Sequence, residues 1–570
     1  MKYKCTILFF EILLVLLFFN VTKSFANDFL QNNKFGMSLL QPTYEDFKKT
    51  AELVNSKGGD WGYVTLVIQE DDTDVNKWQD IFNQLREFRL IPIVRIATKP
   101  EKDYWRKPNK DDADRWVEFL DSLHWVVKNR YIVLFNEPNH AKEWGGKVNP
   151  EDYGEISLLF AKKLKSKNKD FFVMLAGFDA SAPSVSPNYE DEEFFLRRMF
   201  KKENIKEWNN VLDGWSSHSY PNPGFSGSPW DWGRKSIRGY QWELKLLRNI
   251  GITKNLPVFI TETGWSDETL SRESISLFFK QAFVNVWNID SRVVAITPFV
   301  FNYQSNPFLS FSWKKQNSDE YYPQYYKVKS LYKNKGNPEI EEDGNINFSH
   351  PRELVSSSTY HFIVRLENKG QAIWDKDNGY SLKLNEFKGG EYFFSDLNEI
   401  KPFDTDGIDL YIKTKDNKEL IVKNNTDISL FKNNKKILDL GKWNFKIVPL
   451  PSLQVKTFLF PKKIVNASDF EVQIFDENEE LIFKKKNISV RNGSAEISKI
   501  QNIVLGDKYR IVLLKPYYLP RQEIIQFKRR KNETSFEKMI PLDFNIDGTF
   551  NEKDFIAFFK NLRLIKLLIP

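Results

Sequence analysis

Tyr131-Ile132-Val133-Leu134-Phe135-Asn136-Glu137-Pro138-Asn139-His140 is an apolar run of strand length that ends on an acid and a proline. Leu256-Pro257-Val258-Phe259-Ile260-Thr261-Glu262-Thr263-Gly264-Trp265 repeats the arrangement downstream. Short apolar runs bounded by turn formers read as strands buried on both faces, the kind found in parallel sheets. Working outward, six more runs of this type appear: Lys34–Leu39, Gly62–Ile68, Ile91–Ile96, Phe172–Ala176, Gly214–His218 and Val294–Phe301. Helical stretches fall between them. Thr43 caps one over Asp46–Asn55, Asp112–Val127 repeats Trp116, Phe119, Leu120 and Leu123 at helical spacing, and Asn149-Pro150 opens Pro150–Lys165. Eight βα units in about 300 residues predict a (β/α)8 barrel. The rival, an open doubly wound sheet, wants a glycine-rich phosphate loop after its first strand, and Gly36-Met37-Ser38-Leu39 is not one.

At 570 residues the chain is too long for one core. Past about Gly336 helical periodicity gives way to short alternating segments such as Thr359–Leu366, Leu410–Thr414 and Trp443–Val448. That pattern predicts a β-sandwich module over 336–452, and Phe470–Phe475 with Tyr509–Leu514 predicts a second over 453–535. The N-terminus reads as an export signal over 1–26. Lys2 and Lys4 precede the apolar stretch Thr6–Val21, and Ser24-Phe25-Ala26 offers a cleavage site. An uncleaved anchor is the alternative. The expected location is secreted or cell-surface. The sole cysteine, Cys5, lies in that signal, so the rest of the chain has no disulfide and no thiolate chemistry. A formal charge of +7 with no dense basic stripe argues against a nucleic-acid partner. The aromatic share, 15%, is high, which fits either well-filled cores or a sugar-binding cleft.

In such a barrel, functional side chains gather where strands end. Glu137 follows strand four and Glu262 follows strand seven, so both reach the same mouth. Two carboxyls about 5 Å apart suit hydrolysis of a glycosidic bond through a covalent intermediate. No cofactor is needed for that chemistry. These residues resemble the large clan of retaining glycoside hydrolases called clan A, which includes the family 5 and family 39 enzymes. There, an Asn-Glu pair closes strand four and a lone Glu closes strand seven. The resemblance covers about 300 residues and implies Glu137 as acid/base, Glu262 as nucleophile, and Asn136 bound to the sugar 2-hydroxyl. It further implies that His218 or Tyr220, closing strand six, holds Glu262 ionised. Arg95, inside an apolar strand, is expected to pair with a carboxylate or line the mouth; the clan's arginine usually ends strand two, where this chain has Thr65 and Gln69. Trp265, Trp230 and Trp232 are candidates to stack on sugar rings. The competing reading is a glycan-binding surface protein that cleaves nothing.

The C-terminus carries a separate signal. Asp543, Asn545, Asp547, Thr549, Asn551 and Asp554 stand at positions one, three, five, seven, nine and twelve of a loop with Gly548 at six. This is calcium-loop spacing. It resembles half of a dockerin over 536–570, with Phe555–Leu562 as the following helix. A dockerin has two such loops. Only one is present here, which argues against a cohesin partner and for a calcium-stabilised tail.

Overall fold

The computed structural model describes residues 32–418, 420–462, 465–529 and 531–569. The expected signal and Cys5 lie outside these residues. Among the described residues no helix is long and apolar enough to cross a membrane. The chain divides into two compact units between Glu341 and Glu342, a little beyond the boundary expected at 335.

The first unit contains all eight expected strands: β1 (Gly36–Leu39), β2 (Gly62–Gln69), β3 (Leu90–Ala97), β4 (Arg130–Leu134), β5 (Phe171–Leu175), β6 (Trp215–His218), β7 (Val258–Glu262) and β8 (Val293–Ile296). All neighbours pair in parallel, β1 to β5 in one run and β6 to β8 in another. The ring closes at both seams. Ile296 N–H donates to the Lys34 carbonyl at 2.8 Å, and Asp213 N–H donates to the Val173 carbonyl at 3.0 Å. A helix follows each strand on the outside, as a right-handed crossover requires. The helix Tyr44–Val54 starts at Thr43, whose side chain and Asp46 cap each other's backbone N–H. Asn149 likewise accepts from Asp152 N–H at the head of Pro150–Lys167.

Inside the ring, Tyr63, Tyr131, Phe172 and Phe259 come from the second positions of β2, β4, β5 and β7. Their ring centroids lie 5.0 to 6.3 Å apart. This aromatic plug fills the interior of the barrel beneath the cleft at the strands' C-terminal ends. The surplus of aromatic residues goes mostly into cores: Trp125, Trp144, Trp208, Trp215, Trp287 and Trp313 are all fully buried.

Two expectations need correction. The helix predicted over Asp112–Val127 stops at Ser122, because Leu123 turns extended and the apolar Trp125, Val126 and Val127 are buried as a connection. The strand predicted over Val294–Phe301 ends at Ile296. Beyond it the chain bonds both neighbours in turn, Phe299 N–H to Thr263 O and Phe301 N–H to Ser38 O, and the Phe299–Val300 peptide is cis.

The second unit is largely β. Gly344–Asn347, Thr359–Asn368, Thr405–Thr414 and Gly390–Phe394 form one four-stranded sheet. Glu353–Val355, Lys435–Val448, Val422–Lys432 and Tyr380–Leu384 form another. Along Thr359–Asn368 buried Tyr360, Val364 and Leu366 alternate with exposed His361, Ile363 and Arg365, the mark of a sheet with one covered face. Later strands make a three- and a four-stranded sheet between Leu453 and Ser535. These groups and the tail lie within the second unit and bond to one another. Tyr360 Oη donates to Ile503 O at 2.8 Å, and Tyr517 bridges to Asp543.

Candidate active site

Glu137 and Glu262 meet. One carboxylate oxygen of each, together with a ring nitrogen of His218, lie within 4.8 Å of one another. The turn that presents Glu137 is backbone-strained: Phe135 has φ 73° and Glu137 φ 25°, values that side-chain-bearing residues adopt at a cost. The surroundings enforce it. Glu137 N–H donates to Gly177 O at 3.2 Å, and buried Asn139 donates to the carbonyls of Asp179 and Glu190. The loops after β4 and β5 are thereby tied together beneath the acid.

Each carboxylate has its own partners. Glu262 accepts from Arg95 Nη1 at 2.9 Å and from Tyr220 Oη at 3.0 Å. Burial, then the charge of Glu262, raise the Tyr220 pKa and keep the phenol a donor. Glu137 pairs with His218 Nδ1 at 2.8 Å, whereas Glu262 is 3.9 Å from the same nitrogen. The sequence left His218 and Tyr220 as alternatives for one task; they divide two. An extra residue in β7, Thr261, opposite the Ser217–His218 step puts His218 in register with Glu262, and the imidazole lies between the two carboxylates. Arg95 also bonds Asn136 Oδ1, so one guanidinium fixes both the nucleophile candidate and the amide beside the acid candidate.

Burial disfavours the imidazolium of His218, but Glu262 and Glu137 outweigh it and raise its pKa above the usual 6.5. The stabilising contact of charged His218 is therefore complete below about pH 6.5 and is lost as pH rises through the higher folded value. Titration of the His218 ring by NMR is expected to show a midpoint above 6.5; a midpoint below it would contradict the charged contact. Gly177 sits against the same ring. A Cβ there would stand 2.1 Å from His218 Cδ2. Gly177→Ala is thus expected to push the imidazole aside, with about a 100-fold loss of activity from misplacement on the ångström scale. Retention of full activity by a folded Gly177→Ala protein would contradict it.

The cleft encloses about 870 Å³ and is lined by residues at the C-terminal ends of all eight strands or in the loops that follow them, with Tyr220 and Phe225 coming from the loop after β6. It contains Arg95, Asn136, Glu137, Tyr220 and Glu262 as expected. The three tryptophans are placed elsewhere. Trp265 is buried beneath its loop, donating to Gly227 O at 2.8 Å and packing on Phe278 and Phe279. Trp230 and Trp232 are 51% and 75% exposed outside the cleft, with Arg238 over the Trp232 ring. The apolar lining comes instead from Trp105, Phe225, Phe299, Tyr303, Phe308 and Phe311. Asp179, which also lines it, follows β5, and the strand-end rule that selected Glu137 points to it as well. Trp105 and Phe311 carry no comparable signal, because their place depends on how long loops fold back.

In the C-terminal loop, Asp543 and Asp554 are buried. Asp543 accepts from Asp547 and Gly548 N–H, and Asp554 accepts from Asn545 and Asn551 N–H. Burial raises the Asp543 pKa, and the charges of Asp554 and Asp547 add to the rise despite the two backbone bonds. An all-oxygen donor set whose acids repel one another fits a hard cation such as calcium. Thr549 and Asn551 complete the ring of candidate oxygens.

No family model matches the chain, and no curated protein matches it significantly. Among solved structures, an endo-β-1,4-glucanase from Xanthomonas axonopodis pv. citri is 10% identical over 52% of this chain and 97% of its own, with a TM-score of 0.35. A β-mannanase from Thermomonospora fusca, solved with mannohexaose, is 13% identical over 53% and 92%, with a TM-score of 0.35. A family 51 α-L-arabinofuranosidase from Bifidobacterium longum is 9% identical over 58% and 78%, with a TM-score of 0.34. All three are glycoside hydrolases. Scores of that size leave the chemistry to be read from this chain's own side chains.

Proposed function

We propose that this chain is a retaining glycoside hydrolase acting on a poly- or oligosaccharide, with Glu262 as nucleophile and Glu137 as acid/base. The observation that carries the reading is the spacing of the two carboxylates, whose oxygens come within 4.8 Å. Inverting enzymes need room for a water between theirs, about 6.5–9.5 Å. In the first step a Glu262 oxygen bonds to the anomeric carbon while the C–O bond to the leaving group breaks and Glu137 delivers its proton to that oxygen. In the second, Glu137 takes a proton from water, whose oxygen displaces Glu262. Arg95 and Tyr220 orient Glu262 for attack; Asn136, held by Arg95, faces the cleft beside it.

The test is a panel of activated aryl glycosides and polysaccharides, run with wild type and both Glu→Gln variants. Cleavage by wild type that both variants lose supports the reading. Binding of a glycan with no cleavage of any substrate would favour the lectin-like alternative instead. The export-signal reading of 1–26 belongs to the same proposal, and secreted protein beginning at Asn27 checks it.

For the tail, Asp543, Asn545, Asp547, Asn551, Asp554 and the Thr549 backbone carbonyl would hold calcium, which would neutralise the repelling acids. Millimolar calcium is then expected to raise the melting temperature, since saturation a hundredfold above Kd stabilises by about 2.7 kcal/mol. Asp547→Ala should abolish the rise; no rise in wild type would remove the site.

A further inference from the structure

We infer that the cleft selects uncharged glycans over those bearing uronate, sulfate or phosphate groups, with Glu143 as the residue that sets this preference beside the acid. This rests on the reading of the cleft as a sugar site and names the class of sugar.

Among the described residues lining the cleft, the cations are Arg95 and His140, against Asp72, Glu137, Glu143, Asp179 and Glu262. Both cations already face an acid. Arg95 pairs with Glu262 at 2.9 Å, and His140 Nε2 pairs with Asp179 at 2.9 Å. Asp72 takes Lys77 at the exposed rim. Glu137 takes His218 at 2.8 Å. That leaves Glu143, half-buried in the wall, with no ion pair to a described residue. A substrate anion entering here meets surplus negative charge and finds no uncommitted cation. Like charges brought together in a partly desolvated cleft are a strong device for rejection.

The opposite wall offers no compensating charge. Tyr220, Phe225, Phe311, Phe299, Phe308 and Tyr303 form a continuous chain of rings with centroids 5.0 to 6.1 Å apart. Such a surface suits the apolar C–H faces of neutral sugar rings and gives a carboxylate or sulfate nothing to bind.

Glu143 also predicts how the preference varies with pH. Burial, then the charge of Glu137, push its pKa up to about 7, against the lowering pull of Arg95, Asn136 and His140. Discrimination should sharpen as pH rises through that value.

The experiment is affinity electrophoresis of the full chain in gels containing neutral polysaccharides, each paired with its C6-carboxylated derivative. Binding is read without reference to cleavage, so a glycan-binding protein that hydrolyses nothing would refute the proposed function and leave this inference standing. The expected result is retardation by at least one neutral member. Its carboxylated partner should bind about 100-fold more weakly at low salt, and the gap should narrow at high salt as charges are screened. Glu143→Gln, which keeps the side chain's size, should cut the neutral-to-acidic ratio about tenfold. Equal or tighter binding of the carboxylated member, binding of neither, or a ratio unchanged in Glu143→Gln would overturn the inference.

Discussion

Glu262→Ala is expected to lower kcat on every substrate by on the order of 10,000-fold or more, because no other group can form the covalent bond to the anomeric carbon. The leaving group should make no difference. What distinguishes this from a folding defect is rescue. Removing the carboxylate opens a space in front of Arg95 and Tyr220, which both still point at it. Azide ion can enter there and attack directly, giving a glycosyl azide of inverted configuration. A Glu262→Ala protein that keeps wild-type activity, or that azide converts to a product of unchanged configuration, would refute the nucleophile assignment.

Glu137→Ala is expected to behave differently, and the difference defines its role. General acid catalysis contributes about 100- to 10,000-fold, so polysaccharides and alkyl glycosides should lose that much. A 2,4-dinitrophenyl glycoside departs without a proton, so its glycosylation step should proceed nearly as in wild type. Its turnover should then stall at hydrolysis of the glycosyl ester, seen as a burst of dinitrophenol followed by a slow steady state. Equal losses on both substrate types, with no burst, would show that Glu137 is not the acid. Loss of the carboxylate also leaves His218 without its closest partner, so the His218 midpoint should fall in Glu137→Ala.

The barrel was legible because its strands are short, apolar and β-branched, and because parallel strands buried on both faces show continuous hydrophobic runs. Their ends shifted by only a residue or two, except at β8, which stops at Ile296 rather than Phe301. The helix Asp112–Ser122 was read too long since apolar residues continue past its end, and periodicity does not separate a buried connection from a helix turn. Glu137 and Glu262 were legible as acids placed where strands stop. Arg95 was legible for a physical reason: a guanidinium among Ile93, Val94 and Ile96 has to find a carboxylate, and it finds Glu262. The aromatic lining was not legible. Loop course decides whether a ring faces the cleft or the core, and Trp265 went to the core while Phe225 and Phe311 went to the cleft. The partition between His218 and Tyr220 was equally hidden, since it turns on a register shift between β6 and β7, with Thr261 the extra residue, that alternation alone does not reveal. Glu143, just past the acid candidate, could from its sequence position equally face the cleft or pack in its loop, and the loop's course places it in the cleft wall.

The most direct test of two carboxyls acting across one short gap is the stereochemistry of the first product. Proton NMR of an aryl glycoside under cleavage, followed before mutarotation, reads the anomeric signal of the released sugar. Retention of the substrate's configuration is the result expected from oxygens within 4.8 Å. Release of the inverted anomer would contradict it.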